Sequence, residues 1–297
     1  MTTNQWQKSL EIPGRVLFSE GNGDLPRLGI NTAHSNAEMY LLGAHITNFQ
    51  RKNEPPILFM SQLSRFQEGL PIRGGIPVIF PWFGPREGET AHGFARTMTW
   101  ELREVSQVSN GGVCLRLTLP DSPSAALFPK CTVEYAVTVG ATLAAELTVT
   151  NPSADQDFTF EMCLHTYFHV GDIAAVSVTG LKGVDYLDKV ENFARKTERA
   201  EHVKISQETD RIYLDTTSPV EIHDSKLQRR IRIEASGARS TVVWNPWIAK
   251  SEQMPDFGND EFRQMICVET GNVSENRITL PAGKSCAMKA EISALPL

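Results

Sequence analysis

The chain has 297 residues, of which 41% are hydrophobic, and 29 Lys+Arg against 35 Asp+Glu give a formal net charge of −6. That is enough apolar material for a sizeable core, and the acidic balance argues against extended phosphate-backbone contact, so no nucleic-acid partner is expected while a local basic pocket stays open. No stretch free of Asp, Glu, Lys and Arg exceeds twelve residues, short of the roughly 20 that span a bilayer, and MTTNQWQKSLEIPGR lacks a secretory pattern, so a cytosolic protein without membrane partners is expected.

Leu63–Gly69 carries a short helical pattern, although its polar residues fit a loop equally well. Then comes Pro71-Ile-Arg-Gly-Gly-Ile-Pro-Val-Ile-Phe-Pro-Trp-Phe-Gly-Pro-Arg86. Its glycines lack the Lys-Ser/Thr that closes a phosphate loop, and Pro77, Pro81 and Pro85 exclude a regular ladder. A fixed, extended wall is predicted, with Arg73 and Arg86 at its ends. A guanidinium held still by such surroundings suits oxyanion recognition, with a surface salt bridge as an equal alternative. In Ala91-His-Gly-Phe-Ala-Arg96, His92 and Arg96 flank a glycine, a pattern met more often on surfaces and in cores than in sites.

Alternating apolar and polar residues predict strands at Val113–Leu119, Thr132–Val139 and Ala145–Thr150, with turns at 110–112, 139–140 and 151–152. Phe158-Thr-Phe-Glu-Met-Cys-Leu-His-Thr-Tyr-Phe-His169 reads as one strand. It sets Phe158, Phe160, Met162 and Leu164 on one face, and Glu161, Cys163, His165, Tyr167 and His169 on the other. The apolar face suits a core and the titratable face a groove. On a strand, His165 and His169 stand roughly 13 Å apart, so they are not expected to share a metal ion.

Ala175–Thr179 and Ile231–Glu234 are further strands. Asp188, in Asp185-Tyr-Leu-Asp-Lys-Val190, either reaches the groove or caps a loop, and the mixed charges from Lys189 to Arg211 suggest a solvated face. Asp260–Gln264 is a second short helical candidate. In Gln264-Met-Ile-Cys-Val-Glu-Thr270, alternation places Glu269 with Met265 and Cys267, opposite Ile266 and Val268. A carboxylate at the end of a buried strand must be paired, raised in pKa or functional. The five cysteines, Cys114, Cys131, Cys163, Cys267 and Cys286, form no CxxC pair and are expected as free thiols. Short strands without intervening helices or a linker predict an all-β sandwich or barrel of antiparallel strands, one domain over 1–297.

Taken together, Gly43-Ala-His-Ile-Thr47, Ile72-Arg-Gly-Gly-Ile-Pro77 with Phe80-Pro-Trp-Phe-Gly84, His92-Gly-Phe-Ala-Arg96, Leu164-His-Thr-Tyr-Phe168, Tyr186-Leu-Asp-Lys189 and Cys267-Val-Glu269 resemble the aldose 1-epimerase (mutarotase) superfamily, and within it the hexose-6-phosphate mutarotases. The pieces run in family order from about residue 40 to 285. The resemblance implies a galactose mutarotase-like β-supersandwich of antiparallel sheets with the sugar on a concave face. It implies His165 as general acid and Glu269 as general base, with Arg73, Arg96 and Asp188 on the substrate and His92 nearby. Ala91 departs from the pattern, where family members often carry Gln.

The implied reaction interconverts α and β anomers of glucose 6-phosphate, or of another aldohexose 6-phosphate, by proton transfers that need no metal, nucleotide or redox cofactor. A sugar phosphate is then the expected partner, and a monomer the expected state. The alternatives are a non-catalytic carbohydrate-binding sandwich, a mutarotase for non-phosphorylated aldoses, and a hydrolase or lyase pairing Glu269 with Asp188.

Overall fold

The computed structural model describes residues 8–121 and 128–297. Alternation builds its larger sheet. Thr132–Val139 and Leu143–Thr150 turn at Gly140, pair antiparallel along their whole length and bury alternate residues. Around them stand Glu101–Gln107, Val113–Thr118, Val176–Thr179, Val203–Lys204, Val220–Asp224, Arg229–Ser236 and Ser285–Pro296, making a nine-stranded sheet. A four-stranded meander, Val16–Glu20, Pro26–Asn31, Ser35–Tyr40 and His45–Arg51, packs on the same core.

The eight-stranded sheet behaves differently. Its order is Ala194–Thr197, Asp185–Asp188, Thr209–Leu214, Ser240–Asn245, Met265–Asn272, Met162–Leu164, Val78–Ile79, with Tyr167–His169 also on Met265–Asn272. Ser240–Asn245 and Met265–Asn272 are buried at every residue. One face gives Val243, Ile266 and Val268 to the main core, shared with Tyr135, Leu147 and Ile292 of the nine-stranded sheet. The other face gives Cys163, Leu187, Ile212 and Val242 to a separate cluster packed under Phe83. A sheet apolar on both faces needs cover on both, and here long loops cover the second one.

Several predicted elements change form. The segment 158–169 is three strands, Phe158–Phe160, Met162–Leu164 and Tyr167–His169. On one side it keeps a single register with the proline segment, Glu161 N donating to Pro81 O, His165 N to Pro77 O and Tyr167 N to Gly75 O, while on the other its partner changes from Ile278–Leu280 to Met265–Asn272. Leu63–Gly69 is not helical; Phe66 instead packs on Tyr40, with centroids 5.0 Å apart. Asp260–Gln264 contains only the 3-10 turn Glu261–Gln264, and the described α-helix of any length, Trp247–Gln253, lies elsewhere. No helix among the described residues is long and apolar enough to cross a membrane.

The Arg73-Gly-Gly turn is fixed from beneath. Buried His45 donates from Nε2 to Gly74 O at 2.8 Å. Gly75 has φ +59, and a Cβ there would lie 2.2 Å from Ile46 O. Only glycine meets both demands. Gly75→Ala should therefore cost about 1–3 kcal/mol of stability, read from urea unfolding, and should displace Arg73.

Candidate active site

The registers of the eight-stranded sheet assemble the site. Asp210 pairs with Trp244, Trp244 with Cys267 and Cys267 with Tyr167, so these side chains form one row across four strands. The ladder between 162–169 and Met265–Asn272 is interrupted at 165–166, but Leu164↔Thr270 and Tyr167↔Cys267 keep the same register on either side. His165 is thereby set opposite Glu269, and its Nε2 lies 3.3 Å from Glu269 Oε1. A cavity of about 320 Å³ opens over this pair, with Arg73, His92, Arg96, Tyr167, Lys189, Asp210 and Trp244 among its walls.

Aromatic rings hold His165 in place. It stacks on Tyr167 at 4.9 Å and meets the edges of Trp244 at 6.0 Å and His92 at 5.5 Å. His92, at φ +67, accepts the Gly84 N–H on Nδ1 at 3.2 Å, which leaves Nε2–H as the proton its neutral ring can offer. Asn245 shapes the far wall. Its Nδ2 donates to Phe262 O and Met265 O while its Oδ1 accepts from Trp247 N, starting the helix that brings Lys250 and Met254 to the cavity.

Burial dominates the proton affinities. It pushes the Glu269 carboxyl well above its ordinary value, and Asp210 adds to the effect. It pushes His165 and His92 well below theirs, with Arg96 and Arg73 acting in the same direction. Neither Glu269 nor His165 readily carries a charge alone, so the touching pair behaves as a single carrier of one proton.

The cations of the cavity are unequally matched. Arg73 donates to Tyr167 Oη at 2.9 Å and pairs with Asp256 through Nη2 at 3.2 Å. Although burial opposes it, these partners hold the Arg73 guanidinium above its ordinary range. Lys189 pairs with Asp210 at 2.7 Å, and Lys250 with Glu208 at 3.2 Å. Arg96 has no carboxylate partner among the described residues. Its Nη2 donates to Ala91 O at 2.7 Å and its buried Nε has no partner. Burial, then Arg73, brings its pKa down to about 10.

Of the residues expected from sequence, His165, Glu269, Arg73, His92 and Arg96 converge on this cavity. Asp188 does not. Its side chain is buried against Lys196 Nζ at 2.9 Å, and the neighbouring Lys189 lines the cavity instead. Arg86 also stays outside, over the Trp82 ring at 4.8 Å. His169, expected on the face of His165, lines a larger groove of about 770 Å³, behind the strip that carries Leu58–Gln62. Glu161 accepts from Phe83 N at 2.8 Å and so anchors a loop. Lys189 and Asp210 were hidden in the mixed-charge stretch read as solvated. The signal that could have found Asp210 is an acid alternating with apolar residues in Thr209–Leu214.

His165, Cys267 and Glu269 offer ligand atoms within 4.8 Å of one another, the group among the described residues that could hold a metal ion. Its surroundings fit a cation poorly. Arg73, Arg96 and Lys189 face the same cavity, and burial, with Glu269, keeps the Cys267 thiol protonated.

Comparison with known proteins shows what the chain as a whole is similar to. The model of the family described as Aldose 1-epimerase matches residues 27–293. A protein of Cenchrus ciliaris named "Putative glucose-6-phosphate 1-epimerase" is 33% identical over 271 residues, 88% of this chain and 82% of that one. One of the same name from Escherichia coli (strain K12) is 34% identical over 267 residues, 88% of each chain. The crystal structure of a putative mutarotase (YeaD) from Salmonella typhimurium superposes with a TM-score of 0.89 at 29% identity, covering 99% of both chains.

The buried carboxyl has a measurable cost. A group whose folded pKa is raised binds its proton more tightly after folding, so its contribution to stability falls as pH rises above the ordinary 4.5. Glu269→Gln should raise the melting temperature at neutral pH, by about 0.5–2 kcal/mol in stability, with the gain shrinking toward pH 4.5.

Proposed function

The chain belongs to the aldose 1-epimerase family, an isomerase that interconverts the anomers of an aldose, and from that premise we propose that its substrate is an aldohexose 6-phosphate and that His165 and Glu269 move the protons. The observation that carries the phosphate is Arg96. A charge facing an enclosed site is ordinarily paired, yet the half-buried Arg96 lines the cavity with a buried, partnerless Nε and, among the described residues, no carboxylate partner. A phosphate dianion would supply the missing countercharge through charge-assisted bonds. The names of the Cenchrus ciliaris and Escherichia coli relatives support the same reading.

The proton inventory is closed. With the shared proton on His165 Nε2, Glu269 is a carboxylate that takes the proton from the C1 hydroxyl. His165 delivers its own to the ring oxygen, the C1–O5 bond breaks and an aldehyde forms. Rotation about C1–C2 exposes the other carbonyl face. Glu269 then protonates the carbonyl oxygen as O5 attacks, and His165 recovers the O5 proton. The pair ends as it began, so the same groups serve the reaction in either direction.

A pure binding module has no use for a buried acid/base contact at 3.3 Å. The hydrolase alternative loses its second carboxyl, since Asp188 lies outside the cavity and the carboxylate inside it, Asp210, is engaged by Lys189.

The test is anomer exchange of glucose 6-phosphate followed by NMR without added cofactor. The wild-type protein should accelerate exchange, and a rate equal to buffer alone would refute the proposal. His165→Asn and Glu269→Gln should each lower the rate about 10²–10⁴-fold. Arg96→Ala should reduce turnover of glucose 6-phosphate about 10- to 100-fold more than that of glucose. Equal losses on the two sugars would remove phosphate from the role of Arg96.

A further inference from the structure

We propose that Cys163 is a positioning residue of the site, whose thiol holds the second oxygen of Glu269 so that the first is presented to His165 and the substrate; this rests on the reading of Glu269 as proton acceptor. Glu269 Oε1 faces His165 Nε2, and Cys163 Sγ donates to Oε2 at 3.4 Å. The two contacts grip the carboxyl from both ends, which fixes its plane.

The thiol has little freedom to do anything else. Cys163 is 0% exposed and sits among Ile79, Leu187, Ile212 and Val242, none of which offers a side-chain acceptor. Across the ladder stands Gly271. A Cβ added to Gly271 would lie 3.1 Å from both Cys163 Cβ and Sγ. The missing side chain at 271 is thus the space that Cys163 occupies, and the packing around it turns the sulfur toward Glu269. Burial and Glu269 both keep the thiol protonated far into the alkaline range, so it remains a donor wherever the pair works.

Sulfur suits this task. A thiol is a weak donor, strong enough to orient a carboxylate but too weak to remove the basicity that proton abstraction needs. The groups that act on Glu269 are His165, Cys163 and Tyr167 from the adjoining segment, Cys267 on its own strand, Asp210 and Lys189 across the sheet, and Arg96 from the loop. Among them, Cys163 is the one that donates a hydrogen bond to Oε2.

The test compares Cys163→Ala with Cys163→Ser in pH profiles of glucose 6-phosphate anomer exchange. Removing the donor should raise the pH midpoint assigned to Glu269 and lower kcat about 5- to 20-fold, with KM within about twofold. Serine, which keeps a donor, should return the midpoint to the wild-type value or below. Identical midpoints in the wild type and both variants would overturn the proposal. So would equal shifts for alanine and serine, which would mark a packing effect. An infrared measurement is independent of turnover and of those two variants. In the wild type, one cysteine S–H stretching band should lie below the others and move to higher frequency in Glu269→Gln. A spectrum unchanged by that substitution would overturn the contact. Failure of the wild-type protein to accelerate exchange would instead remove the role of Glu269, leaving the infrared result to decide the contact itself.

Discussion

The contact between His165 Nε2 and Glu269 Oε1 organises the structure around it. Both groups are buried, and burial works against the charged form of each. Close together they solve the problem jointly, because one proton between them leaves no isolated charge in the interior. The arrangement tolerates little error, since separating the pair would leave two buried polar groups without the partner that shares their proton. The flanking register, the stacking of Tyr167 and the cover of the loops over the sheet all act to keep these atoms together.

The same economy governs the cations. Arg73 spends its charge on Asp256 and Tyr167, and Lys189 spends its charge on Asp210. These pairs set the shape of the cavity without adding much net potential to it. Arg96 is left with backbone and solvent, so the attraction for an anion concentrates at one guanidinium. A protein with a net charge of −6 can thus favour an anionic ligand, because screening and burial make electrostatics local.

The two sheets divide the work of folding and function. The nine-stranded sheet shows solvent one face and the core the other, and its alternating strands need only their own pattern to form. The eight-stranded sheet is buried on both faces at its centre and depends on the loops for cover. Those loops bring Arg73, His92, Arg96 and Lys189 over the row that strand pairing lays down. Stability and site construction therefore meet in Met265–Asn272, where Ile266 and Val268 serve the core while Cys267 and Glu269 face the opposite way.

By itself the sequence determined the all-β class, the separation of Ile266 and Val268 from Cys267 and Glu269, and the face shared by Cys163, His165 and Tyr167. These follow from local periodicity, because successive side chains on a strand alternate sides whatever the strand pairs with. The recurring Arg, His and Glu segments also pointed to the family. Only the tertiary structure decided that Asp188 turns to Lys196 while Lys189 and Asp210 enter the cavity, that His169 leaves for a different groove, and that Gly271 makes room for the Cys163 thiol. Each of these depends on which strand lies alongside and which loop folds over it. Those are contacts between residues distant in the chain, and alternation along a single strand carries no information about them.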